Sequence, residues 1–336
     1  MGDLPRVFVT GATGFIGTRL VNELVRRGHA VHGLTRANSN RAGLEDPRVR
    51  LVTGDILDRD SLVRGMEGCS QVYHLAAYAK NWARERDVFF QYNVTGTENV
   101  FEAARQAGVG RIVFTSTIVT FGPTPPGVVA DETLARITPH CYTEYEESKV
   151  VAEKMAVELA QAGRPIVIVN PTRVYGPGKL TEGNSVTQMI DLYTRGRLPL
   201  LLNRGVDVGN YVLVDDLVQG YVLAMEKGRV GEKYILGGEN ASLARFFELV
   251  DEVSGRKRRL FNLPPAVALL YSRIERWKAQ TLGFYPKVTP GWVETFLQDW
   301  TYQCGKAERE LGYRITPLRE GIRQTCQWLA ERRKPA

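Results

Sequence analysis

The sequence is poor in cysteine and histidine and has no long apolar run. Its four cysteines, Cys69, Cys141, Cys304 and Cys326, stand far apart in 336 residues and form no C-x-x-C pair. We therefore expect free thiols in a reducing compartment, and the four histidines show no ligand spacing, so no metal site is predicted. The longest apolar run, Leu263–Tyr271, has nine residues and two prolines, whereas a membrane span needs about 20 residues. A transmembrane helix is not expected.

Charge narrows the class of protein further. The formal net charge is +7, but the only dense basic run is Arg256–Arg259, which is typical of a solvated turn. No aromatic residues alternate with a basic stripe, so we expect no nucleic-acid partner. An excess of this size also suits an enzyme whose ligand carries several phosphates. No charged-then-apolar leader is visible, and Arg6 stands where myristoylation favours Ser or Thr, so a cytoplasmic protein is expected.

Strand and helix patterns alternate through the first half of the chain. This order predicts an α/β fold of the Rossmann type, a doubly wound parallel sheet with helices on both faces. Pro177-Gly178 marks a break, after which helical patterns dominate. We expect residues 1–176 to form a dinucleotide-binding domain and residues 177–336 a smaller, mainly helical substrate lobe, with some elements returning to the first domain. The strand-like runs are Arg6–Val9, Ala30–Leu34, Val49–Val52, Gln71–His74, Arg111–Thr115 and Ile166–Val169.

A glycine-rich segment, Thr10–Gly17, follows the first strand and opens the first helix. Three glycines at this spacing allow a tight turn, close approach of the backbone to a pyrophosphate, and tight packing of helix on strand. Glycines alone are weak support, but their place between a strand and a helix predicts a dinucleotide site. The expected cofactor contacts here are Gly11, Thr13, Gly14, Phe15, Ile16 and Gly17.

The end of the second strand indicates which dinucleotide binds. An acidic residue at this place usually takes the ribose hydroxyls of NAD, but the chain has Thr35 followed by Arg36. A guanidinium pairs with a 2′-phosphate, which an acid would repel, and Arg41 is expected to add a second positive charge. The sequence therefore favours NADP(H), although a strand-end arginine can also be a solvated charge.

Two further strand ends complete the predicted cofactor cleft. Asp55 and Ile56 follow the third strand, where the carboxylate could bond the adenine amine or act only as a loop residue. Leu75, Ala76 and Ala77 follow the fourth strand, and small side chains there let a cofactor lie against the backbone, although they also suit plain core packing.

Tyr145 and Lys149 have the i, i+4 spacing that places a phenol and an ammonium on one helix face. Thr143 and Glu146 fit a capping box, so we expect the helix to begin at Thr143 with Tyr145 in its first turn. A nearby ammonium and the positive helix end both favour a phenolate and lower the pKa of a tyrosine. This spacing also occurs on many surface helices, but the upstream glycine loop favours a catalytic pair.

These features together resemble the extended short-chain dehydrogenase/reductase superfamily, of the epimerase/dehydratase type, over essentially the whole chain. The likeness is greatest to the branch of dihydroflavonol reductases and 3β-hydroxysteroid dehydrogenases. It implies that Tyr145 is the catalytic acid/base, that Lys149 binds the ribose and lowers the pKa of the tyrosine, and that Thr117 is the active Ser/Thr. It further implies nicotinamide-side cofactor contacts at Asn93, Thr115, Pro171, Thr172 and Val174.

Departures from the family pattern favour one reaction. Dehydratases of the family carry an Asp-Glu pair directly after the active Thr, where this chain has Ile118-Val119. Family epimerases typically retain NAD and keep the ribose-binding acid that Thr35 replaces. We therefore expect NADP(H)-dependent reduction of a ketone or aldehyde. The alternatives are a nucleotide-sugar epimerase that retains NAD and a non-catalytic NADP-binding sensor or scaffold.

Aromatic residues near the expected cleft suit a cyclic or apolar carbonyl substrate better than a nucleotide sugar. The predicted substrate contacts are Lys80, Trp82, Thr117, Tyr142, Tyr175 and Tyr211. Family members often pair two helices from each subunit, which implies a possible homodimer through residues 94–107 and 144–162. Its apolar contacts would come from Val94, Phe101, Val150, Met155 and Leu159, although these also suit packing on the sheet.

Overall fold

Seven parallel strands form the central sheet in the computed structural model, which describes residues 4–138 and 140–333. Their order across the sheet is β3-β2-β1-β4-β5-β6-β10, with the crossovers of a doubly wound fold. The α/β fold predicted from the sequence is confirmed. The strands are β1 Val7–Thr10, β2 Val31–Thr35, β3 Val49–Thr53, β4 Gln71–His74, β5 Arg111–Thr115, β6 Ile166–Pro171, β7 Arg173–Tyr175, β8 Leu200–Leu202, β9 Val208–Leu213, β10 Lys233–Leu236, β11 Glu239–Ser242 and β12 Phe261–Leu263.

Helices cover both faces of this sheet, which explains why its central strands are apolar throughout rather than alternating. Every residue of β1 and of β6 is buried. The α-helices are α1 Phe15–Arg26, α2 Arg59–Met66, α3 Asp87–Phe90, α4 Gly96–Gln106, α5 Glu144–Gln161, α6 Ser185–Thr194, α7 Val214–Lys227, α8 Leu243–Ser254, α9 Pro265–Leu282, α10 Pro290–Phe296, α11 Gly305–Leu311 and α12 Leu318–Arg332. None of the helices in the described residues is long and apolar enough to cross a membrane.

The elements of the second half of the chain join different sheets. Strand β10 pairs with β6 at the edge of the large sheet, and α7 packs against α1 and β5. The other strands form a three-stranded sheet, β11-β9-β7, and a pair, β12-β8, which carry α6, α8 and α12. The division into domains at residue 176 stays a prediction.

Candidate active site

The glycine loop between β1 and α1 leaves room for an anion beside its backbone. Gly11 has φ +71° and its carbonyl accepts a hydrogen bond from the Gly14 amide at 3.0 Å. A Cβ on Gly11 would lie 2.8 Å from the Ala76 nitrogen, and one on Gly17 only 2.0 Å from the Gly11 oxygen. Within the described chain no side chain caps the start of α1, so its first N–H groups can bind phosphate. This loop fits a dinucleotide pyrophosphate.

The structure brings most of the predicted cofactor residues into two joined spaces. One, the dinucleotide cleft, lies along the carboxyl ends of β1, β2, β3 and β4; the other, the reactant cavity, shares Leu75 and Ala77 with it. Phe15 and Gly17 are buried. Predicted residues that line the dinucleotide cleft are Gly11, Thr13, Gly14, Arg36, Asp55, Ile56, Leu75, Ala76 and Ala77, and those that line the reactant cavity are Ile16, Thr115, Thr117, Tyr145, Lys149, Pro171, Thr172 and Val174.

A buried hydrogen-bond chain holds the floor of the dinucleotide cleft. The Thr10 hydroxyl and the His74 Nδ1 atom are 2.7 Å apart, and the His74 Nε2 atom is 3.0 Å from the Thr97 hydroxyl. The Ala76 amide donates to the Thr10 hydroxyl at 3.1 Å. Burial, with a smaller contribution from Lys149, lowers the pKa of His74 to about 3, so its ring is neutral. His74 therefore positions the segment after β4 and takes no part in proton transfer.

The two arginines predicted to bind a 2′-phosphate lie in different surroundings. Arg36 is exposed at the end of β2 and lines the dinucleotide cleft together with Thr35 and Ser39. Arg41 lies on the exposed loop that follows and does not line the cleft formed by the described residues. The second charge expected from Arg41 therefore stays a prediction.

Lys179 supplies a positive charge that the sequence did not indicate. It extends from the segment after β7, and its ammonium donates to the carbonyl oxygens of Thr13 at 3.0 Å and Asn40 at 3.1 Å. Thr13 is part of the glycine loop, so this ammonium lies directly beside the predicted phosphate site. No pattern within the sequence could reveal a contact between residues so far apart in the chain.

Tyr145, Lys149 and Thr117 come together in the reactant cavity. The Thr143 hydroxyl accepts from the Glu146 amide at 3.1 Å, so α5 begins where the capping pattern predicts. One turn further, the Lys149 ammonium donates to the Thr115 carbonyl oxygen at 2.8 Å and lies 4.6 Å from the Phe114 ring centroid. The helix thus presents a phenol and a buried ammonium to the end of β5.

Burial dominates the electrostatics of this pair. It raises the pKa of the Tyr145 phenol to about 12, and the neighbouring Thr117 hydroxyl lowers it in part. The lowering of this pKa by Lys149, expected from the i, i+4 spacing, stays a prediction. Burial lowers the pKa of Lys149 itself to about 8, and the Glu153 carboxylate opposes that shift. Without a ligand the phenol is therefore a protonated group that can donate.

Behind the pair lies a buried polar cluster around Glu153, one turn beyond Lys149 on α5. Its carboxylate accepts from Ser116 at 2.5 Å and Thr120 at 2.9 Å, both in the segment that carries Thr117. Asn170 and Lys233 also bond this carboxylate, at 2.6 Å and 2.7 Å. A single side chain thus joins α5 to the ends of β5 and β6. The sequence analysis did not single out Glu153, because its partners come from distant segments.

Asn93 lies on a π-helical turn, Gln91–Thr95, that precedes α4. Its amide oxygen accepts from the Tyr78 backbone N–H at 2.7 Å, and its amide nitrogen donates to the Ser148 hydroxyl at 2.9 Å. Asn93 is buried and does not line either space in the described structure. It therefore connects the segment after β4 to α5, and its direct contact with a cofactor stays a prediction.

Of the predicted substrate residues, Thr117 alone lines the reactant cavity within the described chain. Tyr175 and Tyr211 are buried in the hydrophobic cluster of the three-stranded sheet, where the Tyr175 hydroxyl donates to the Leu318 carbonyl. Trp82 and Tyr142 line a neighbouring groove instead. These positions correct the expectation that the four aromatic residues surround the substrate.

Lys80 is also outside the reactant cavity. Its ammonium lies 5.6 Å from the Tyr78 ring centroid and 6.0 Å from that of Tyr285. The cavity lining that the sequence analysis missed comes mostly from elements that follow β6, and no local motif marks it. Its members include Arg173, Glu182, Ser185, Asn210, Phe296 and Trp300.

Known proteins resemble this chain along most of its length. Residues 7–237 match the model of the NAD dependent epimerase/dehydratase family. Sterol demethylase protein B of Methylococcus capsulatus is 31% identical, with 96% of this chain and 98% of that protein covered. The 3-beta-hydroxysteroid dehydrogenase of Mycolicibacterium neoaurum is 30% identical, with coverage of 93% and 87%. The crystal structure of Thermus thermophilus UDP-glucose 4-epimerase complexed with NAD is 26% identical, with a TM-score of 0.78 and coverage of 97% and 99%.

The family match agrees with the geometry of the two joined spaces. The Rossmann sheet, the glycine loop and the Tyr145–Lys149 pair all lie where a nicotinamide dinucleotide would run from cleft to cavity. The chain therefore belongs to the NAD dependent epimerase/dehydratase family, within the extended short-chain dehydrogenases/reductases.

Proposed function

We propose that this protein is an NADPH-dependent reductase of a ketone or aldehyde, with Thr117, Tyr145 and Lys149 as its catalytic residues. One observation carries the proposal: these three side chains line a cavity that shares Leu75 and Ala77 with the dinucleotide cleft. A carbonyl group and a nicotinamide ring can therefore share the cavity. The bound dinucleotide would supply the hydride.

The protein residues have separate roles in this reaction. Tyr145, protonated in the free protein, donates its proton to the carbonyl oxygen as the oxygen becomes an alkoxide. Thr117 hydrogen-bonds the same oxygen and orients it. Lys149 holds a positive charge behind the phenol, which stabilises the phenolate left after proton transfer. The reverse oxidation needs the phenolate as a base.

Arg36 supports NADPH as the preferred cofactor. It lines the cleft at the end of β2, where an acid would select NAD, and its guanidinium fits a 2′-phosphate. Lys179 adds an ammonium at the glycine loop, where it would attract the pyrophosphate that NAD and NADP share.

The cavity wall favours reduction over dehydration. Ile118 and Val119 stand beside Thr117 in the cavity, at the place where dehydratases carry an acid pair. Of the described lining residues Glu182 is the one carboxylate, and it accepts hydrogen bonds from Tyr285 and Asn81 at the cavity mouth. A nucleotide-sugar epimerase with retained NAD is the main alternative, and a non-catalytic NADP sensor is the other.

The side chains that line the cavity support an apolar substrate that carries one anionic or strongly accepting group. Phe296, Trp300 and Val186 supply apolar wall, whereas Arg173 supplies a guanidinium 4.3 Å from the Phe296 ring centroid. Its Nη2 atom is buried without a hydrogen-bond partner in the described structure, and its Nη1 atom donates to the Tyr211 hydroxyl at 3.3 Å. An unpaired buried donor is costly, so a substrate carboxylate or phosphate would stabilise it.

A panel of carbonyl compounds, followed by NADPH absorbance with NADH in parallel, tests the function. We expect turnover of apolar ketones or aldehydes with NADPH, and Tyr145→Phe should abolish turnover while NADPH affinity changes little. Mass spectrometry of the nucleotide bound to the purified protein separates a reductase from an epimerase. Tightly retained NAD together with conversion of a nucleotide sugar would reject the proposal, as would full activity of Tyr145→Phe.

We also propose a cytoplasmic homodimer formed through α4 and α5. Phe101 is buried in the core of its own subunit. Met155 and Leu159 are partly buried and pack against that core. Val151, between the predicted contacts Val150 and Met155, is 42% exposed and could extend the interface. Sedimentation velocity tests the dimer, and a monomer at all concentrations would contradict it.

A further inference from the structure

Helix α9 turns its small residues toward the protein and its large apolar residues toward solvent. Its buried positions are Ala268, Ser272, Glu275 and Ala279, which recur at helical spacing along one face. The opposite side carries the α9 apolar face, whose side chains are 43% to 61% exposed and which consists of Val267, Leu270, Tyr271, Ile274 and Trp277. Exposed apolar patches of this kind mark interaction surfaces.

The sequence segment that contains this helix is strongly basic. Residues 253–293 contain eight Lys or Arg and one Glu, a net charge of +7, which equals the net charge of the whole chain. The single acid, Glu275, is buried and bonds the Lys278 ammonium at 3.4 Å and the Lys287 amide at 3.1 Å. The outer side of this segment therefore presents cations, Arg273 and Arg276 among them, beside apolar side chains.

The segment that follows α9 contacts the lining of the reactant cavity. Phe284 and Tyr285 follow the helix and are exposed. The Tyr285 ring meets the Trp82 ring edge-on at 5.8 Å between centroids, and its hydroxyl donates to Glu182 at 2.8 Å. Glu182 lines the reactant cavity, so Tyr285 links the end of α9 to that cavity.

We infer that the α9 apolar face docks on the surface of an anionic lipid bilayer. An 18-residue helix is about 27 Å long, and its cations forbid a span but suit a helix that lies in the interface plane. Tyr271 and Trp277 are residue types that concentrate at that depth. A second copy of the chain is a poorer occupant, because like-charged segments would face one another. Delivery of an apolar substrate from the bilayer to the cavity rests on the proposed reductase function; docking does not.

Vesicle co-sedimentation of the full chain tests this inference without any substrate. Phosphatidylcholine vesicles are compared with vesicles that contain about 30% phosphatidylglycerol. We expect at least about tenfold tighter binding to the anionic vesicles, and a loss of that advantage when ionic strength rises toward about 0.5 M.

Three variants assign the binding to the helix. The combined change Leu270→Gln, Ile274→Gln and Trp277→Gln should weaken vesicle binding by about tenfold or more. The combined change Arg273→Gln, Arg276→Gln and Lys278→Gln should remove the preference for anionic lipid. The matched control replaces exposed apolar residues elsewhere, Val129→Gln, Ile137→Gln and Val230→Gln, and should bind as the parent does.

Other outcomes would contradict the membrane-docking inference or assign the α9 apolar face to a different contact. Absence of vesicle binding by the parent chain, or unchanged binding by the apolar-face variant, would overturn the inference. An oligomer of the parent that dissociates in the apolar-face variant would assign this face to a contact between copies. NADPH affinity and circular dichroism of each variant confirm folding, and because turnover is not measured, failure of the reductase proposal leaves this result untouched.

Discussion

The ammonium of Lys149 donates a hydrogen bond to the carbonyl oxygen of Thr115 at 2.8 Å, deep in the wall of the reactant cavity. The cation is almost fully buried and lies 4.6 Å from the Phe114 ring centroid. A buried charge lowers the free energy of unfolding, but the same charge would favour the phenolate form of a neighbouring tyrosine. Lys149 therefore affects stability and catalysis in opposite directions.

Replacement of Lys149 by Met should stabilise the free protein and abolish turnover. Burial moves the pKa of Lys149 from 10.5 to about 8, so its charged form is disfavoured by folding at neutral pH. With the lost hydrogen bond to Thr115 subtracted, we expect the free energy of unfolding at pH 7 to rise by about 2 kcal/mol. Urea unfolding measures this change.

The pH dependence of the free energy of unfolding provides a second check on the buried charge of Lys149. Between the folded pKa near 8 and the unfolded value near 10.5, the unfolded chain holds more protons at Lys149, so this group makes stability rise with pH. The advantage of Lys149→Met should therefore shrink toward pH 10. Lys154→Met, an exposed position on the same helix, is the control and should change little. An advantage that stays constant from pH 7 to pH 10 would refute the assignment.

Glu153→Gln should move the alkaline limb of the activity profile to lower pH. The Glu153 carboxylate raises the pKa of Lys149, so its removal lets Lys149 lose its proton at a lower pH. Reductive kcat/KM between pH 6 and pH 10 measures the limb. Glu158→Gln, exposed on the same helix, serves as the control. Lower stability with an unmoved limb would indicate that the cluster is purely structural.

Arg36→Ser should weaken NADPH binding by about tenfold or more and leave NADH binding almost unchanged, because one charge-assisted contact to the 2′-phosphate is lost. Fluorescence titration with both nucleotides measures the two affinities. Arg41→Ser is the matched control, since Arg41 carries the same charge on the same loop but does not line the cleft in the described structure. Equal losses for the two variants would mean a general field effect rather than a contact.

The contrast between Arg36 and Arg41 illustrates what the sequence could predict. The strands, the glycine loop and the Tyr145–Lys149 spacing follow from periodicities and local turns, and the structure places them as expected. Residues brought in by distant segments were missed, because no local pattern records such contacts. Lys179 contacts Thr13 from a distant part of the chain in this way.

The positions of Tyr175 and Tyr211 could not be predicted for a related reason. Tyr175 and Tyr211 lie on neighbouring strands, β7 and β9, that pair in parallel and bury both rings. Two polar residues of the same strands line the cavity instead, Asn210 beside Tyr211 on β9 and Arg173 two residues before Tyr175 on β7. Side chains alternate along a strand, so the register of β9 decides whether Tyr211 or Asn210 meets the cavity. That register depends on a pairing between segments more than thirty residues apart, which sequence alone did not reveal.

Arg173→Gln tests whether the cavity selects an anionic substrate. Loss of the guanidinium should raise KM for carbonyl compounds that carry a carboxylate by about tenfold to a hundredfold, through one lost charge-assisted pair. The methyl esters of the same compounds are the control. Their KM should change little, because an ester has no negative charge to pair with the Arg173 guanidinium. Steady-state kinetics on each acid and its ester measures both effects. A similar rise in KM for acid and ester would mean that Arg173 only packs between Tyr211 and Phe296, as its ring contacts allow.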